Sequence, residues 1–219
     1  MRVKLKWIYK GPKTEALVFE SEWTSQNAME RILEDLLRTG RAANLTVIDE
    51  MGNEWNRKEF LKLKVVLEEE PHDIVVFFDG GYDLEQGKAG LGMVIYYQKG
   101  QKTYRIRSNS ILQELDSNNE AEYAALYNAI LLLEELGVKH TPCSIKGDSL
   151  GVLKQLEGEW PCLEENLNRW LDRIEKKIKE LGLKASYTPI SRKENKEADQ
   201  LASQALNNKI IHSHATITE

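Results

Sequence analysis

The chain has 219 residues, 41% of them hydrophobic and 8% aromatic, enough for one full domain and a small one beside it, with no staple needed to hold either. Its net charge of −5, from 30 basic and 35 acidic residues, argues against a general coat for nucleic acid, although an acidic cluster holding divalent metal can coexist with a local basic track. Cys143 and Cys162 form neither a metal-ligand pattern nor a disulfide framework, and no signal-peptide segment or membrane-spanning run is present, so a soluble, cytoplasmic protein is expected.

At the amino end, Val3, Leu5, Trp7 and Tyr9 alternate with Lys4, Lys6 and Lys10, the period-two pattern of a half-buried strand. "EALVFESEW" reads as its hairpin partner. Residues 25–39 place Met29, Ile32, Leu33, Leu36 and Leu37 on one helical face, and Gly40 suits the stop. "LTVIDEMGNEWNRKEFLKLK" reads as a second hairpin turning at Met51–Asn53, which makes residues 1–66 a small α+β domain of order ββαββ. Two roles suit it: a docking or dimerisation module, or a basic sheet face of Lys4, Lys6, Lys10, Lys62 and Lys64 laid on nucleic-acid backbone. Residues 67–73, "LEEEPHD", combine three glutamates with a proline and read as a linker.

From residue 74 the pattern predicts strands at 74–79, 91–97 and 102–110, a helix at 119–136, a strand at 143–147, helices at 149–157 and 163–181, a strand at 184–189 and a helix at 195–207. Three strands joined by short turns, then strand–helix alternation, imply an α/β domain over 74–207 with a mixed sheet, antiparallel first and parallel later. Residues 208–219 read as a C-terminal tail that includes His212 and His214.

Four acids fall at telling places. Asp79 closes the apolar run Ile74 to Phe78, in "DIVVFFDGGYD", where burying a charge is most costly, so it needs either a proton or a positive partner. Asp148, in "SIKGDS", ends the fourth strand; parallel first and fourth strands would set it beside Asp79, an arrangement that favours a bound cation. Its ordinary reading is an N-cap for the helix from Ser149. In "SNNEAEYAALYNAILLLEEL", Glu122 lies within about 40° of Leu126, Ala129 and Leu133, while Glu120 is about 200° away from it, so Glu122 faces the sheet. Its ordinary reading is a capping box with Asn119 as N-cap. Asp199, in "ENKEADQLASQAL", sits in the first turn of the last helix beside Ala198 and Ala202, where an isolated acid serves the helix dipole.

Residues 74–206 resemble type 1 ribonuclease H. "FFDGG" is similar to its first-strand Asp-Gly, "GKAGLGMVI" to its Gly-rich second strand, "SNNEAEYAAL" to its Asn-Asn-x-x-Glu helix start, "GDSLGVLKQLEGEW" to its Asp-Ser strand end and following helix, and "ENKEADQLA" to its last helix. The resemblance implies a mixed five-stranded sheet flanked by helices, preceded here by the small α+β domain. It carries an Asp–Glu–Asp–Asp quartet onto Asp79, Glu122, Asp148 and Asp199, which would hold two Mg²⁺ or Mn²⁺ ions and cut the RNA strand of an RNA–DNA hybrid, leaving 5′-phosphate and 3′-hydroxyl ends. It also implies that Ser117, Asn118, Asn119, Ser149 and the backbone at Gly80 read 2′-hydroxyls or meet phosphate.

Two departures stand out. The loop before the last acid, "PISRKENKEAD", lacks the mobile His that the family often carries, and Arg192 is the candidate stand-in, although it cannot shuttle a proton. The stretch "EGEWPCLEEN" is acidic where some members carry a basic protrusion that grips the hybrid. A non-enzymatic or weakly active nucleic-acid-binding protein of the same fold is therefore the alternative. A transposase or integrase fits less well, since no DNA-binding helices are evident.

Overall fold

The computed structural model describes residues 2–11 and 15–217, with side chains for all of these but Lys64, Leu67 and Glu68. The chain divides into two compact units, Met1–Glu69 and Glu70–Glu219.

The first unit contains β1 (Arg2–Tyr9), β2 (Leu17–Glu20), β3 (Thr24–Ser25), α1 (Gln26–Arg38), β4 (Ala42–Asp49), β5 (Glu54–Asn56) and α2 (Arg57–Glu69). Its antiparallel sheet runs β2-β1-β4-β5, with β3 also on β1. Val3, Leu5 and Val47 from the sheet meet Met29, Leu33 and Phe60 from the helices in one small core. The expected helical face is narrower than its periodicity suggested, because Ile32 and Leu37 stay exposed.

Two expectations for this unit are corrected. The linker read at residues 67–73 shrinks to Glu70 and Pro71, because 67–69 complete the last helix of the unit and the next strand starts at His72. The second hairpin stops at Asn56, and residues 57–69 form a helix instead of a strand. The cause is a capping box: Asn56 Oδ1 accepts the Glu59 N–H at 3.0 Å, and Glu59 Oε2 accepts the Asn56 N–H at 3.0 Å. The proposed basic sheet face is lost with it, since Lys62 and Lys64 lie on α2 and Lys4 is paired with Glu20.

The second unit contains β6 (His72–Asp83), β7 (Lys88–Lys99), β8 (Lys102–Gln113), α3 (Asn118–Glu135), β9 (Pro142–Gly147), α4 (Leu150–Leu156), α5 (Glu165–Leu181), β10 (Lys184–Pro189), α6 (Lys196–Leu206) and β11 (His212–Ile217). Its mixed sheet has the order β10-β9-β6-β7-β8-β11, with parallel pairing on the β9 side of β6 and antiparallel pairing from β6 through β11. The five expected strands are present, and a sixth is added where a tail was expected. His212 and His214 belong to that strand: β11 pairs with β8, and His214 Nε2 shares a 2.7 Å hydrogen bond with the Tyr97 hydroxyl. Buried Asn109 anchors the approach, accepting the Ile211 N–H and donating to the carbonyls of Leu201 and Lys209.

Side chains alternate across this sheet. Ile74, Val76 and Phe78 join the large core that includes Leu126, Ala129 and Leu133 of α3, while Phe77 packs with Val94, Ala198 and Leu201 under α6. Glycines let the helices come close. A Cβ on Gly80 would collide with the backbone of Ala121 and Glu122, and a Cβ on Gly90 or Gly92 would collide with the backbone of α6 at Ala202 or Ala198. Between the parallel neighbours β6 and β9, Phe77 stands opposite Lys146, and two residues further on Asp79 lies level with Asp148 just past the end of β9, while β6, expected to stop at Asp79, runs on to Asp83 against β7.

Gly92→Ala is expected to destabilise the protein by about 1–3 kcal/mol through overpacking. Gly151→Ala, on α4 with open space around it, should be neutral or stabilising by up to about 1 kcal/mol. Paired urea melts of the two variants test the glycine seat under α6.

Candidate carboxylate site

Within β6, at the level where β9 ends, stands Asp79, a buried side chain, followed by the bare backbone of Gly80. Because Gly80 has no side chain, the first turn of α3 lies against the strand, and the Gly80 N–H donates to Glu122 Oε2 at 3.3 Å. Glu122 is therefore buried beside Asp79 and is not a capping residue. The cap belongs to Ser117 and Glu120: Ser117 Oγ accepts the Glu120 N–H at 3.2 Å, and Glu120 Oε2 accepts the Asp116 N–H at 2.9 Å. The other oxygen of Glu120 accepts the Trp170 indole N–H at 2.8 Å, so Glu120 is also buried, but against α5.

The capping reading of Asp148 fails too, since Ser149 is the N-cap of α4. Asp148 Oδ1 accepts a 2.6 Å hydrogen bond from Asn195 Nδ2, and its Oδ2 lies 3.6 Å from Arg192 Nε. Asp199 does stand in the first turn of α6, on the helix seated by Gly90 and Gly92.

The electrostatics join these groups. Burial pushes the Asp79 carboxyl up to about 7, with the charges of Asp148 and Asp199 adding to the rise and Arg192 opposing it. Burial likewise pushes Glu122 up to about 9, helped by Asp79 and Asp148 and opposed by the Gly80 N–H and Arg192. Among the described residues, no three His, Cys, Asp or Glu side chains are already arranged as a metal cage. The donor set itself fits a hard divalent cation, being all oxygen, partly buried and in excess of positive partners.

The remaining candidates are spread around this cluster. Asn118 Oδ1 accepts the Tyr82 N–H at 3.2 Å, which ties the start of α3 to β6. Asn119 is exposed with no side-chain hydrogen bond among the described residues, and the Ser149 hydroxyl makes no cap bond. Arg192 is exposed apart from its approach to Asp148.

Sequence reasoning missed Asn195. It is 1% exposed, and its Nδ2 donates both to the Phe78 carbonyl at 2.9 Å and to Asp148, while its Oδ1 is buried without a partner. Two acceptors facing one amide fix which way that amide points. An Asn at a helix start reads as a cap, and nothing local in the sequence signals that this one makes no cap bond and spans two strands.

Fold and site together define a ribonuclease H-like α/β protein. The model of the reverse transcriptase-like family matches residues 77–205. An uncharacterized protein of Bacillus subtilis strain 168, YpeP, is 42% identical over 217 residues, covering 99% of this chain and 95% of its own. Ribonuclease H1 of the archaeon Halobacterium salinarum is 27% identical with a TM-score of 0.53, covering 62% of this chain and 98% of its own. LC11-RNase H1, solved in complex with an RNA/DNA hybrid, is 27% identical with a TM-score of 0.54 and the same coverage. The chain belongs to the ribonuclease H family.

The raised Asp79 carboxyl has a stability consequence of definite sign. An acid whose folded value is raised contributes stability below the unfolded value near 4, and that contribution is lost as pH rises toward about 7. Without divalent metal, Asp79→Asn is therefore expected to be more stable than wild type at pH 8, by on the order of 1–3 kcal/mol, and to lose that advantage at pH 4. Thermal melts in chelator at the two pH values measure it.

Proposed function

We propose that the chain is a metal-dependent endonuclease that hydrolyses the RNA strand of RNA–DNA hybrids, leaving 5′-phosphate and 3′-hydroxyl ends. The observation that carries this reading is geometric: Asp79 is buried on β6, Glu122 is held at the neighbouring Gly80 N–H, Asp148 is held by Asn195, and the charges of Asp148 and Asp199 reach Asp79, so the cluster calls for positive charge. Asp79, Glu122, Asp148 and Asp199 would hold divalent metal, two Mg²⁺ or Mn²⁺ ions, through their carboxylate oxygens. The chemistry supplied there would be activation of the attacking water and stabilisation of the leaving 3′ oxygen in an in-line displacement.

The protein's own part is to hold the donors. The Gly80 N–H orients Glu122, Asn195 orients Asp148, and the seat at Gly92 sets the helix that carries Asp199. Arg192 acts by charge alone, since a guanidinium offers no proton to shuttle. Ser117, Asn118, Asn119, Ser149 and the Gly80 backbone are assigned to 2′-hydroxyl and phosphate contacts, because 2′-hydroxyls separate RNA from DNA. The hybrid bound to LC11-RNase H1 supports that substrate class. The two free cysteines fit a reducing, cytoplasmic setting.

One observation favours a second reading, binding without cutting: both oxygens of Asp148 already face donors, Asn195 and Arg192.

The deciding assay incubates end-labelled RNA–DNA hybrid, duplex RNA and duplex DNA with the protein and Mg²⁺ or Mn²⁺. Only the RNA of the hybrid should be cut; chelation should abolish cleavage, and Asp79→Asn and Asp148→Asn should each reduce it by about a hundredfold or more. Glu120→Gln should cost about 1 kcal/mol of stability from the weakened cap and leave cleavage intact. Unchanged cleavage by Asp148→Asn would refute the site, and binding without cleavage under either metal would select the second reading.

A further inference from the structure

The catalytic reading leaves open how the polymer is gripped. Residues 157–165 carry Glu157, Glu159, Glu164 and Glu165, and the neighbouring Lys154 is already paired with Glu157 at 2.8 Å and Glu159 at 2.9 Å. A polyanion finds no free cation in that loop, so affinity has to come from another part of the chain.

In the first unit, the β1–β2 ladder carries three rings near the carboxyl end of α1. Trp7 and Phe19 stack with centroids 5.4 Å apart, and Tyr9 meets Phe19 edge-on at 6.2 Å. Phe19 is 44% exposed, and Leu17, the ladder partner of Tyr9, is 55% exposed, so the patch is uncovered among the described residues. Beside it lies a cavity of about 400 Å³ lined by Trp7, Tyr9, Leu36, Thr39, Arg41 and Ala42. No carboxylate lines it, and the Arg41 guanidinium has no hydrogen-bond or ion-pair partner among the described residues. Lys10 is held alongside by its N–H to the Arg41 carbonyl at 2.8 Å, and Arg38 in the last turn of α1 offsets the negative end of that helix.

We propose that this pocket binds one nucleotide of a single-stranded stretch of nucleic acid, with the base against the rings and the phosphate on Arg41. Rings accept any base, because every base has a flat face, and an unpaired guanidinium matches a phosphate. The base must come from a single strand, since a duplex hides its faces in the stack. The choice of nucleic acid as ligand rests on the reading of the second unit as an enzyme of RNA–DNA hybrids. Its consequence is a preference for hybrids flanked by a single strand.

The test uses full-length Asp79→Asn protein in Mg²⁺, so that the probe stays whole, and fluorescence anisotropy with a blunt hybrid, the same hybrid bearing a single-stranded extension, and a short single-stranded DNA. The extension should tighten binding about tenfold. Adding Arg41→Ala or Phe19→Ala, both at exposed side chains, should remove most of that gain and leave blunt-hybrid binding unchanged, and Arg41→Ala should lower the salt slope on single-stranded DNA by about 0.7. Equal binding of blunt and extended probes before those changes, or full retention of the gain after them, overturns the proposal. So does a dimer, seen by sedimentation, that Phe19→Ala splits without loss of nucleic-acid binding, since a second copy would then be the occupant. Blunt-hybrid cleavage by Arg41→Ala and Phe19→Ala in the otherwise wild-type chain scores the catalytic reading separately, because neither residue belongs to the carboxylate site.

Discussion

Direct contact between backbones, made possible by three glycines, sets the positions on which the carboxylate site depends. Gly80 brings the first turn of α3 onto β6, and Gly90 and Gly92 bring α6 onto β7. The first contact delivers Glu122 to the side of Asp79, and the second seats the helix whose first turn brings the Asp199 charge within reach of Asp79. A methyl group at any of these positions would push a helix outward and carry a carboxylate with it. Packing and chemistry are thus one requirement here, and the conformational freedom that glycine loses on folding is its cost.

That geometry also builds in tension. Asp79 and Glu122 are buried next to other acids, and both are pushed up by burial before any neighbour is counted. The apolar interior of the same unit supplies the offset: Phe78, Leu91, Ile95, Tyr123, Leu126, Ile130 and Leu133 are almost fully buried around α3 and the central strands. At about 1.5–3 kcal/mol for each large side chain, such a core can carry a site that is unfavourable when metal-free. Asn195 adds direction to this, since one amide holds both the backbone beside Asp79 and the Asp148 carboxylate.

Much of this was legible in the sequence, for physical reasons that differ by element. The apolar run into Asp79 reads as a buried strand because it is short, rich in Val, Ile and Phe and closed by glycines, and the element order implied a mixed sheet in which parallel first and fourth strands would set Asp148 beside Asp79, a pairing that the register bears out. Helical geometry separated Glu122 from Glu120, although it gave no hint that Ser117 and Glu120 would share the cap. Residues 57–69 misled because Leu61, Lys62, Leu63 and Lys64 alternate like a strand, while the Asn56–Glu59 capping signal just upstream favoured a helix. β11 was illegible because its partners, Tyr97, Ser108 and Asn109, lie far away in the sequence and its own residues are mostly polar.

That distance bears on how the protein is made. His212 and Ser108 are 104 residues apart, yet they are neighbours in the sheet. On a ribosome, β8 is finished long before β11 exists, so its outer edge stays open while nearly half the chain is still to be synthesised. An open edge invites pairing with other nascent chains. β11 acts as a late clasp, and the interval before it closes is the window in which this fold is most in need of a chaperone.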